Sequence, residues 1–152
     1  MPEKRQRRGY WSSTLGCRCP RCREGKLFTN PVSFNFRKNM QMNKTCLVCG
    51  QPTEIEVGFY YGTSYVSYAI TVGLSVATLV AWYVIIGLST DDNRFFYWLG
   101  FNAVFLVLLQ PWLMRLSRSF WISWFVKYDP EWEFHQPDDV SERMNPDQTN
   151  NW

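Results

Sequence analysis

Two stretches of the chain carry no Asp, Glu, Lys or Arg: about 34 residues from Val57 to Thr90, and residues 95–114 from Phe95 to Met114. About 20 apolar residues in a helix cross the roughly 30 Å hydrocarbon core of a bilayer. The pattern therefore predicts two transmembrane helices within residues 57–114, over about 62–88 and 95–114. The entry to the first, GFYYGTSYVSY, is rich in tyrosine and suits the headgroup level. Gly73, Ser75 and Ala77 leave room for a second helix, and Ser67, Tyr68 and Thr71 read as groups satisfied by the preceding turn or a neighbour. The connection Asp91-Asp92-Asn93-Arg94 is so short that the second helix must return antiparallel to the first. Within that second span Asn102 is expected to hydrogen-bond across the pair, and Pro111 to end or kink it.

The flanks are of a different character. Residues 112–128, WLMRLSRSFWISWFVKY, mix tryptophan with Arg115, Arg118 and Lys127. That mixture predicts a juxtamembrane interfacial helix over 115–128, its three basic side chains snorkelling to lipid headgroups. Its apolar residues are too widely spread for one clean face, so part of it would prolong the second span. Residues 129–152 read as an acidic flexible tail, in which His135 has no partner ligand at helical spacing. Residues 1–16 form a basic arm around Lys4, Arg5, Arg7 and Arg8, a solvated run with anionic headgroups within reach.

Between the arm and the first span lies a stretch with its own chemistry. In residues 17–56 the pairs Cys19/Cys22 and Cys46/Cys49 each have a glycine close behind them, and two such tight turns present four thiolates to one ion. The expected fold is a zinc-ribbon-like module of short β-hairpins, with strands at Lys26–Phe28 and Val32–Phe36 and a structural Zn2+ as cofactor. A disulfide framework is the competing reading, and it needs an oxidising compartment; no apolar signal segment precedes Cys17, which favours metal. Arg18, Arg21, Arg23 and Lys26 surround the first turn and would offset the charge of a four-thiolate site. Cys17 is left over, either as a spare thiol or, with Cys19, as a Cys-x-Cys pair for a soft metal or thiol exchange.

Charge sets the orientation. Eleven Lys and Arg precede the first span and one lies in the connection, while Arg115, Arg118 and Lys127 follow the second, so both termini are expected in the cytoplasm. The mean hydropathy of −0.27 fits a small membrane protein with polar ends. Neither span holds an acidic, lysine or histidine side chain, which argues against a proton-coupled transporter. An enzyme is not expected either: no histidine is paired with a carboxylate, no nucleophile sits beside a base, and no glycine loop followed by lysine could cradle phosphate.

Taken together, CPRCREGKLF, CLVCGQP, GFYYGTSYVSYA and RLSRSFWISWF followed by KYDP resemble the bacterial domain-of-unknown-function family 983, Bacteroidetes-type, over about Cys19 to Pro130. The resemblance implies a cytoplasmic zinc ribbon on two helices of the bacterial inner membrane, with no established activity. By analogy with the genes among which some members are found, it also implies an association with cytochrome oxidase assembly. Cys17 and the acidic tail lie outside the shared pattern. The expected role is a non-enzymatic interaction or assembly factor, partnered by membrane lipids and by a membrane-protein complex or further copies of the chain. Two alternatives stand beside it: a metal-handling or thiol-redox membrane protein using Cys17 and Cys19, and a membrane-tethered ribbon binding nucleic acid, the last disfavoured because headgroups lie nearer than any duplex.

Overall fold

The computed structural model describes residues 8–87 and 92–144. Lys4, Arg5 and Arg7 of the basic arm, Asp91 of the connection and the end of the acidic tail lie outside the described residues. The architecture is mostly helical: α1 (Tyr10–Leu15), α2 (Phe36–Asn39), a 3-10 turn at Phe59–Gly62, α3 (Thr63–Ile85), α4 (Arg94–Phe125) and a 3-10 turn at Ser141–Arg143.

Two helical stretches, Phe59–Ile85 and Arg94–Phe125, are long and apolar enough to cross a membrane. They pack side by side as α3 and α4, and the polar residues within them meet there. Asn102 donates to Ser75 Oγ at 3.2 Å and accepts from Thr78 Oγ1 at 3.2 Å, the cross-pair role expected of it. Thr71 donates back to the carbonyls of Ser67 and Tyr68 in its own preceding turn. A Cβ on Gly73 would meet nothing within 4 Å, so this glycine does not mark the contact.

Helix α4 joins the second span to the expected juxtamembrane helix, prolonging the span as far as Phe125. It runs unbroken through Pro111 for 32 residues, about 48 Å, which is more than a bilayer core requires. Pro111 withdraws one N–H from the helix ladder without ending it. The last third earns its continuity by packing: Leu113, Arg115, Leu116, Ser119 and Ile122 are buried at helical spacing against the N-terminal half of the chain.

Residues 17–56 form no strand among the described residues, so the β-hairpins of the expected ribbon are absent. In their place are three isolated antiparallel bridges, Arg18 with Lys26, Phe28 with Met42 and Thr45 with Pro52. The reason lies in where the backbone groups go. The carbonyls of Asn30 and Pro31 are taken by the Arg115 guanidinium and the Ser33 N–H by Asn39 Oδ1, which leaves no ladder for Val32–Phe36 to join. Part of that segment instead begins α2, capped by Asn35.

Residues 10–15, assigned to the basic arm, are likewise structured. Helix α1 lies on α4, with Ser119 donating to the Thr14 carbonyl at 2.8 Å and the Trp11 and Phe120 rings in edge contact. The core of the cysteine module (Cys19, Cys22, Leu27, Phe28, Cys46, Cys49) is continuous with Phe59 and with Ile122 and Val126 at the end of α4.

Candidate metal centre

Each Cys-x-x-Cys pair sits on a turn closed by its own backbone. In the first, the Cys19 N–H donates to Gly25 O at 2.8 Å, the Arg23 N–H returns to Cys19 O at 2.8 Å, and Arg23 turns left-handed at φ +60°. In the second, Cys46 donates to Gln51 O and Gly50, at φ +71°, donates to Cys46 O. These turns aim two sulfurs apiece at the same point. The four Sγ atoms of Cys19, Cys22, Cys46 and Cys49 all lie within 4.8 Å of one another and all four residues are buried.

The spacing permits a test of fit. A regular tetrahedron of sulfurs around an ion at the zinc–thiolate distance of about 2.3 Å has edges of about 3.8 Å. Across the two turns, Cys19 to Cys49 and Cys22 to Cys46 are each 3.7 Å. No disulfide joins any of the five cysteines. Gly25 makes room for the cluster, since a Cβ there would stand 2.3 Å from Cys46 Sγ, and its N–H points at Cys22 Sγ from 3.5 Å. The donor set and the space therefore suit a metal ion.

Thiol electrostatics agree. A hydrogen bond from Cys19 holds the Cys22 thiol down to about 6, and hydrogen bonds from Cys19 and Cys22 hold Cys46 lower still, while Cys19, sharing its proton with Cys22 and Cys46, is pushed up. Cys49 is raised as well, so the four sulfurs share protons among themselves, and a metal, which binds the thiolate form, would displace those protons.

The surrounding cations have specific partners. Arg21 is buried; its guanidinium donates to the carbonyls of His135 at 2.8 Å and Gln136 at 2.9 Å and pairs with Asp129 at 3.5 Å. Arg23 lies over the Tyr128 ring at 3.8 Å, and Arg18 donates to Glu24 O. The second turn is held in the same way: Gln51, fully buried, donates to Asp138 Oδ2 at 3.1 Å. Residues 129–138, read from sequence as the start of a flexible tail, form a strap across both cysteine turns. His135 belongs to that strap, its Nδ1 2.9 Å from Asp129 Oδ2.

Of the three residues expected at lipid headgroups, only Lys127 is exposed. Arg115 is 5% exposed and points inward, Nε donating to Asn39 O at 3.0 Å and Nη2 to Asn30 O and Pro31 O at 2.8 Å each, with Phe28 against its face at 4.6 Å. Arg118 donates to Met40 O at 3.1 Å and covers the Tyr60 ring at 4.9 Å. For Arg115 the expectation is corrected, and the cause is physical: helix α4 continues past the apolar stretch and turns this residue into the module, where loop carbonyls lack other donors, whereas Arg118 stays half-buried. Asn39, fully buried, completes the joint by donating to Pro111 O at 2.8 Å. Neither Asn39 nor Gln51 stands out in the sequence, because each lies in a polar segment without periodicity.

Cys17 stands outside the four-sulfur group. It closes α1 at φ +50°, and burial, opposed by the Arg115 charge, pushes its thiol up to about 11. Compared with protein-family models, curated proteins and solved structures, the chain gives no match.

Proposed function

We propose that the chain is an integral protein of the bacterial inner membrane, with both termini cytoplasmic, in which a structural zinc ion folds a rigid docking module for a membrane-protein complex. The observation that carries this reading is the closed four-sulfur cluster on a module joined to α4 through Arg115 and Asn39. A catalytic zinc keeps a position open for water or substrate; four buried thiolates leave none, so the ion serves folding and not catalysis. Soft thiolates in a tetrahedral set select zinc among the common divalent ions.

Membrane insertion is supported by α3, whose most apolar stretch is 0% buried. Exposed apolar surface on that scale is stable in lipid and not in water. Orientation follows from the excess of basic residues before α3. The resemblance to family 983 supplies respiratory oxidase assembly as the setting.

The test is a mild-detergent purification at native expression. The wild-type chain should carry one zinc and bring oxidase subunits or assembly factors in stable proportion; Cys19→Ser and Cys46→Ser should lose the metal and lower the abundance of the partner complex. Normal complex levels in zinc-free variants would overturn the docking role.

A further inference from the structure

Between the cysteine module and the start of α3 lies a cavity of about 830 Å³. Its lining comes from the module, with Lys44 and Glu54, from Tyr60 and Tyr61 of the 3-10 turn, from the first turns of α3, from Arg118 and its neighbours on α4, and from Met144. It is thus placed where the apolar helix pair meets the charged module. The charged side chains in its lining are Lys44, Arg118 and Glu54, which sum to one positive charge. Hydroxyls of Ser64, Ser67 and Ser117 add neutral hydrogen-bonding groups.

Two cations of the lining, Arg118 and Lys44, supply the donors. Arg118 lines the cavity with its guanidinium, of which Nη1 is taken by Met40 O. Lys44 is exposed at the cavity and forms no ion pair among the described residues. Charge-assisted hydrogen bonds from a guanidinium and an ammonium group to phosphate oxygens are among the stronger ones. The net charge of the lining matches the single negative charge of a phosphodiester better than the near-dianion of free phosphate. Volume and position suit a headgroup whose acyl chains continue along the exposed faces of α3 and α4.

We propose that this cavity binds the phosphodiester headgroup of a membrane phospholipid, with Arg118 and Lys44 on the phosphate oxygens. The inference rests on the membrane reading above, so its test has an arm for each. The full chain is first challenged by alkaline extraction of membranes: release into the supernatant refutes insertion itself. The chain purified in mild detergent is then supplied with phosphatidylglycerol or with diacylglycerol of the same acyl chains, and retained lipid is counted by native mass spectrometry. Phosphatidylglycerol should be retained at least about fivefold over diacylglycerol. Lys44→Gln, a surface change that leaves the fold intact, should lower that retention at least about fivefold, while Arg37→Gln, on an exposed side chain that does not line the cavity, should leave it unchanged. Arg118→Gln should abolish it, provided that its zinc content shows the module folded. Equal retention of the two lipids, or retention indifferent to Lys44→Gln in a membrane-inserted chain, would overturn the proposal. Displacement of the bound lipid by millimolar inorganic phosphate would overturn the lipid as the source of the phosphate.

Discussion

Gly25 and Cys17 show how much of the site is decided by single residues. Any side chain at Gly25 competes with Cys46 Sγ for the same space, since a Cβ there would be 2.3 Å away. Gly25→Ala should therefore weaken metal binding by at least about tenfold, the scale seen when groups orienting metal ligands are lost; a chelator competition on the purified protein measures it. Cys17 is decided by burial. With its thiol pushed up to about 11, the thiolate fraction at pH 8 is about one in a thousand. In the metal-loaded protein, iodoacetamide should label it slowly at pH 8 and about tenfold faster for each pH unit up to about 11, followed by peptide mapping. Rapid labelling at pH 8 would mean an exposed, activated thiol instead. Both cysteine pairs are readable from the sequence because metal ligands come as fixed side-chain types at fixed spacing. Cys17 as the cysteine left over is readable in the same way; its burial is not, since its neighbours there are supplied by α1, Leu27 and Arg115.

At the level of elements, α4 is the member on which the others depend. Its first two thirds hold the apolar surface and Asn102, its last third the buried face of the module. The two parts meet at Arg115, whose guanidinium gathers three carbonyls from the loop between the cysteine turns. Removing one partner of a buried charged hydrogen-bond set leaves the carbonyls unsatisfied, so Arg115→Met should destabilise the module by about 2–4 kcal/mol. The matching change Lys127→Met, on an exposed side chain, should stay within about 0.5 kcal/mol. Thermal melting in detergent, followed through metal release, separates the two. Sequence patterning finds the helix and misreads its end: tryptophan and arginine mixed at the edge of an apolar stretch are equally suited to lipid phosphate and to backbone carbonyls. Gly62 marks another such joint, because a Cβ there would stand 2.1 Å from Trp121 of α4, whose indole N–H donates to Phe59 O at 2.7 Å.

On the scale of the whole molecule, the chain closes on itself around the four sulfurs. The strap of residues 129–138 reaches back over both cysteine turns through Arg21 and Gln51, and Trp132 packs against the module core. Since metal binding supplies much of the folding energy of so small a module, its removal should release module and strap together while leaving the apolar helices formed. On chelation, tryptophan emission should shift to the red and a protease should gain access beyond Tyr128, with little loss of helical circular dichroism; a strap that stayed protected in the metal-free protein would show that it docks independently of the ion. By itself the sequence determined two apolar helices in an antiparallel pair, four sulfurs for one metal ion and Asn102 as a bond across the helices. Each is a local matter of side-chain type, period or spacing, and so is written in the chain. Only the tertiary structure decided that Arg115 faces inward, that the expected strands give way to single bridges and that the acidic segment becomes a strap. In each of these a buried donor finds backbone carbonyls, which every residue carries alike, so which carbonyl is taken depends on the fold and leaves no mark in the sequence.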